Sequence, residues 1–126
     1  MPVVRIESSV PLAPQHSRAA ALNAVKDCIM RKLGSQAVQV RVAFYDVDPA
    51  QAMVEGETGD AAGPWIFVLA HIHEGRNPGD RAAFVAELLT VVADCYAVEE
   101  RYVKVLVQEF ADADWGFGRK KAAATG

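Results

Sequence analysis

Apolar and polar positions along the chain fall into two patterns, and each occurs twice. Pro2 to Ser9 reads as a short strand, broken by Pro11 and Pro14 because two prolines this close cannot continue a central strand. From Ser17 to Leu33 the apolar residues stand at 21, 22, 25, 28, 29 and 33, the three-and-four spacing of an amphipathic helix. Gly34 is the expected stop, since glycine tolerates the left-handed cap conformation. Val38 to Phe44 then alternates and is β-branched, which predicts a second strand.

Positions 46 to 64 are rich in Asp, Pro, Gly and Thr and read as a connection with room for a short hairpin. The series then restarts. Trp65 to His71 is a nearly continuous apolar run suited to a buried strand, and Asn77-Pro78-Gly79-Asp80 is a turn with Asp80 as the expected helix cap. Arg81 to Cys95 has helical periodicity, and Arg101 to Val107 alternates as a fourth strand.

The second series overlays the first at a shift of 63 residues (81 − 18): Arg18-Ala19-Ala20 maps onto Arg81-Ala82-Ala83, Val40-Arg41-Val42 onto Val103-Lys104-Val105, and Pro2 onto Trp65. Two βαβ units, 2–45 and 65–110, joined by the 46–64 connection, therefore make up one domain over 1–126. Helices that connect parallel strands cross over right-handedly. The expected architecture is a two-layer α/β (α+β) fold, a four-stranded sheet with both helices on one face.

Bulk composition narrows the function. The 126 residues suffice for one domain with a sizeable core, and 52% of them are hydrophobic. Thirteen basic residues are outnumbered by sixteen acidic ones and scattered, which argues against a nucleic-acid partner. Only Arg119-Lys120-Lys121 concentrates positive charge, and it reads as a solvated end or else as a partner contact. No charged-then-apolar leader opens the sequence and no apolar run approaches 18 residues, so no membrane partner and a cytoplasmic location are expected. Cys28 and Cys95 lie too far apart for a metal motif and are expected as buried free thiols, with a disulfide as the alternative.

Candidate chemistry starts at Pro2. Removal of Met1, which a small second residue favours, would leave the secondary amine of an N-terminal proline. An unperturbed α-amino group titrates at about 7.7–8.0. An apolar pocket lowers that value by disfavouring the cation, which would make the amine a general base near neutral pH. The bland alternative is a second-position proline with no task. Arg76 offers a guanidinium fork suited to two-point carboxylate binding, or else a surface salt bridge. Arg41 points opposite to its flanking valines and so faces solvent or a neighbouring chain, and Lys104 takes the same place in the second unit. Trp115 could wall a pocket or anchor a core. His71 and His73 project to one side of a strand; without a third ligand they make a poor metal site. His73, nearest Arg76, is the better candidate for substrate contact. No phosphate loop, Ser-centred elbow or paired Cys motif competes.

Taken in order, these residues resemble the tautomerase superfamily, whose simplest members, the 4-oxalocrotonate tautomerases, are βαβ chains that begin with a catalytic proline. His71-Ile72-His73-Glu74-Gly75-Arg76 resembles that family's first-strand ending in Glu-Gly-Arg, Val103-Lys104-Val105 its second strand, and Trp115-Gly116-Phe117-Gly118 its aromatic-Gly-x-Gly segment. Leu12 stands where the first unit's Glu-Gly-Arg arginine would be. The run from Ile66 to Arg76 is similar to the cis-3-chloroacrylic acid dehalogenases, and Asp114 to Gly118 to the malonate semialdehyde decarboxylases. The dehalogenases' water-activating histidine, tyrosine and glutamate are replaced here by Ile29, Leu106 and the Trp115/Gly116 region, and their paired arginines by His73 and Arg76. The resemblance implies a homotrimer without cofactor or metal, acting on a small carboxylated keto or enol acid. It implies catalysis by Pro2, Arg76 and Arg41, with Arg41 polarising a carbonyl across the subunit boundary. His73, Trp115 and Phe117 would line the substrate pocket. Alternatives are a decarboxylase or weak hydratase with the prolyl amine as acid, and a catalytically silent ligand-binding domain.

Overall fold

A computed structural model describes residues 1–116 of the chain. In chain order it contains β1 (Val3–Ser8), α1 (Arg18–Leu33), β2 (Arg41–Asp46), the short strands β3 (Met53–Val54) and β4 (Glu57–Thr58), β5 (Ile66–His73), α2 (Pro78–Tyr96) and β6 (Val103–Phe110). One sheet runs in the order β2-β1-β5-β6, and β3 with β4 forms the hairpin inside the connection. Each βαβ unit contributes a parallel pair, β1 with β2 and β5 with β6. The units meet along the antiparallel pair β1 and β5, where Ile6 lies opposite Val68.

Alternation decides which face is buried. Val4 and Ile6 of β1, with Ile66, Val68, Ala70 and Ile72 of β5, point to the same side and are sealed there. Val25 and Ile29 of α1 and Phe84, Leu88 and Val92 of α2 complete the same cluster, so both helices cover one face. Each such side chain stabilises the fold by about 1.5–3 kcal/mol relative to exposure. The other face carries no helix among the described residues, and Arg5, Tyr45, Phe67, Lys104 and Leu106 are exposed on it. The expected four-stranded sheet with two helices on one face is present.

Helix ends follow side-chain chemistry. The Ser17 hydroxyl accepts from Ala20 N at 3.0 Å and starts α1, while Gly34 closes it at φ 69° with its N–H on Met30 O. Asn77, rather than the expected Asp80, caps α2: its side-chain oxygen accepts from Asp80 N at 2.7 Å, and Pro78 takes the first turn, where its missing N–H costs nothing. At the position equivalent to Gly34, Ala97 ends α2 at φ 53°.

Both second strands of the units begin later than periodicity indicates. Short 3-10 turns, Ala37–Gln39 and Glu100–Tyr102, carry the chain from each helix back to the sheet, so Val38 is 74% exposed and outside β2. A turn of three residues mimics alternation in a β-branched sequence. Cys28 and Cys95 are free and buried; burial pushes the Cys28 thiol up to about 11 and raises that of Cys95. No helix among the described residues is long and apolar enough to cross a membrane.

Candidate functional site

The site forms where β5 ends. Past His73 the chain turns at Gly75, whose φ of 109° lies in the region that side chains resist. That turn carries Arg76 under the carboxyl end of α1, where its Nη2 donates to Leu33 O at 2.7 Å. Leu33 O belongs to the last turn, whose carbonyls have no helical partner and form the negative end of the helix dipole. Arg81 supports the same turn from α2, with Nη1 donating to Arg76 O at 3.2 Å and to Glu109 Oε1 at 2.6 Å.

A cavity of about 510 Å³ lies between this turn and the segment after α1. His73, Glu74 and Arg76 form one wall, and Ser35, Gln36 and Gln39 another. Ser35 Oγ is buried there and meets no hydrogen-bond partner among the described residues. The lining thus offers the Arg76 guanidinium, the His73 imidazole and neutral polar groups, set against the one carboxylate of Glu74, a mixed set in which a small acid would be held on the Arg76 side.

The amino end of the chain is fixed close by. The Pro2 ring is fully buried, and Pro2 O accepts from Arg41 N at 3.1 Å, which ties the start of β1 to the start of β2. The Met1 α-amino group titrates below its ordinary value, first because burial strips its water and second because Arg76 repels the cation; Asp112 opposes both. The amine therefore lies within the electrostatic reach of Arg76 and Asp112.

His73 is held at both ring nitrogens. Nδ1 lies 2.8 Å from Glu74 O, and Nε2 lies 2.6 Å from Asp112 Oδ1, in the turn Asp112–Asp114 that follows β6. Its ring meets Phe110 edge-on at 5.7 Å, and Phe110 meets Trp115 at 4.8 Å. Trp115 thus reaches the site through Phe110 and is not part of the cavity wall.

Of the residues singled out from the sequence, His73 and Arg76 line the cavity, and Pro2 is buried at the chain end, outside its wall. Arg41 sits on the uncovered sheet face opposite Val3, exposed, with Nη1 turned to Val40 O at 3.3 Å. Within one chain it does not enter the cavity. Phe117 lies outside the described residues. Ile29 and Leu106, set from the sequence against the dehalogenases' histidine and tyrosine, are respectively sealed in the core and 52% exposed on the sheet face opposite the helices. Neither can activate water. Asp112 was not evident from the sequence; the signal lay in register, since Phe110 pairs with His73 and Asp112 follows two residues on. Among the described residues, no three His, Cys, Asp or Glu side chains gather as a metal site.

The fold is that of the tautomerase superfamily. Among solved structures, a fused 4-OT described as a symmetric trimer matches with a TM-score of 0.81 at 20% identity, over 93% of this chain and 92% of that one. A member of the cis-3-chloroacrylic acid dehalogenase family matches at 0.80 and 21%, over 98% and 85%. Pt0534 inactivated by 2-oxo-3-pentynoate matches at 0.80 and 20%, over 93% and 92%. No protein-family model matches the chain, and none of the curated proteins does.

Proposed function

We propose that this chain is an isomerase of the tautomerase superfamily, moving a proton alpha to a carbonyl in a small keto or enol carboxylic acid. Pro2, uncovered by loss of Met1, is the general base. One observation supports the reading: the Met1 α-amino group, one residue before Pro2, is held below its ordinary pKa by burial and by Arg76, and Arg76 also walls the cavity. A neutral amine takes a proton from the enol oxygen or the carbon beside the carbonyl and returns it elsewhere on the conjugated system. This transfer needs one base and a grip on the acid, and no cofactor. In this reading Arg76 holds the carboxylate and His73 contacts the substrate, with Trp115 backing the His73 ring through Phe110 rather than touching the substrate. Arg41, exposed on the uncovered face, serves the site of a neighbouring copy. Hydration is disfavoured because Ile29 is buried in the core.

The reagent 2-oxo-3-pentynoate tests the base directly. A neutral prolyl nitrogen adds to the conjugated alkyne, an N–C bond forms, and the nitrogen's proton ends on carbon, so the protein gains the whole mass of the reagent. Peptide mass spectrometry is expected to place that gain on Pro2 in a chain lacking Met1. Retained Met1, or labelling elsewhere only, sinks the assignment.

The homotrimer follows from the same reading, supported by a sheet face that the helices leave open and that exposes Tyr45, Phe67 and Leu106. Light scattering is expected to give a mass of about three chains. A monomer at assay concentration is incompatible with Arg41 acting across a boundary.

A further inference from the structure

Both ring nitrogens of His73 face oxygen atoms. Glu74 O is a carbonyl and can only accept, so Nδ1 must carry a proton to use the 2.8 Å contact. Asp112 Oδ1, at 2.6 Å from Nε2, is an acceptor when ionised, and the contact lies at the short end of what a charge-assisted bond shows. A neutral imidazole has one N–H and satisfies one of these partners; an imidazolium satisfies both. Phe110, in register with His73 on β6, packs edge-on against the ring and holds its plane.

We infer that Asp112 is a positioning residue of this site: its carboxylate keeps the His73 ring a doubly protonated cation at the cavity wall, so that the cavity presents a second fixed cation beside Arg76. The inference rests on the tautomerase reading for its consequence, but its geometry stands alone. The charged groups around the ring are Asp112 from the turn after β6, Arg76 and Glu74 from its own turn, and the amino terminus, which Arg76 and Asp112 influence in opposite senses. Arg76 disfavours a further cation, and Asp112 compensates. With two cations on one wall, the substrate is an acid bearing a second anionic or strongly polarised oxygen, such as the carbonyl oxygen of a 2-keto acid, rather than a simple monocarboxylate.

The nitrogen-15 spectrum of the His73 ring at pH 7 tests this without any turnover. In the wild-type protein both ring nitrogens are expected at shifts of protonated nitrogen, with one reverting to the unprotonated range in Asp112→Asn and both recovering in Asp112→Glu. A wild-type ring with one unprotonated nitrogen, including a neutral ring that accepts a proton from Asp112, overturns the inference. So does an unchanged spectrum in Asp112→Asn. If the spectra behave as expected and Pro2 is never labelled, the dyad stands while the tautomerase reading falls. The kinetic counterpart is a rise of about tenfold in KM for a 2-keto acid in Asp112→Asn, equivalent to roughly 1.4 kcal/mol of binding, with kcat changed less.

Discussion

Replacing Pro2 with alanine is expected to lower kcat/KM for an enol acid such as phenylenolpyruvate by about 10²-fold, the lower end of what a positioned general base supplies. Alanine at the second position still permits loss of Met1, so the variant keeps an amine but loses the ring that fixes its direction and its secondary character. KM should change little, because Arg76 and His73 remain in the wall. The pH dependence follows with a definite sign. A base of this kind works when neutral, so the rate is expected to rise with pH through the Pro2 amine's pKa; burial and Arg76 lower the Met1 amine, and at Pro2 the same surroundings act in the same direction. Arg76→Ala removes a group that disfavours the cation; the amine's pKa rises and the ascending limb moves to higher pH. Wild-type turnover in Pro2→Ala would falsify the catalytic assignment.

Phe84→Ala is expected to destabilise the fold by about 3–5 kcal/mol, the usual cost of emptying an aromatic site in a core. Phe84 is fully buried and among the largest side chains in the single cluster under the sheet. Its equivalent 63 residues earlier (84 − 21) is Ala21, also fully buried, so α2 supplies the volume that α1 leaves open. Small domains have only about 5–15 kcal/mol in total, and the urea midpoint should fall by roughly 2 M. The comparison belongs at fixed protein concentration, because association adds to apparent stability. A midpoint unchanged within error means that the helix seats its Phe84 face elsewhere.

Much of the fold was legible because burial imposes a period. The alternation of Val4 and Ile6, the spacing of Val25, Cys28 and Ile29 and the Gly34 stop each have one structural solution, and the 63-residue shift repeats it. The 3-10 turns before β2 and β6 escaped because three residues are too few to show a period. The α2 cap was misplaced because Asn77 and Asp80 are both good caps, and only Pro78 in the first turn decides between them. In the site, His73 and Arg76 were legible from their turn. Asp112 was not, because its role depends on strand pairing between β5 and β6, which no local pattern encodes. Arg41 was legible as outward-facing, but one chain does not bring it to the cavity.

The interior has a consequence for how this molecule meets electrophiles. With its thiol pushed up to about 11, Cys28 is held as the unreactive thiol at pH 7, and Cys95, the only other sulfhydryl, is enclosed as well. The native surface therefore offers conjugated ynones no thiolate competitor. If Pro2 is the base proposed above, its nitrogen inherits the reaction, and selectivity comes from what the core hides as much as from what the cleft presents.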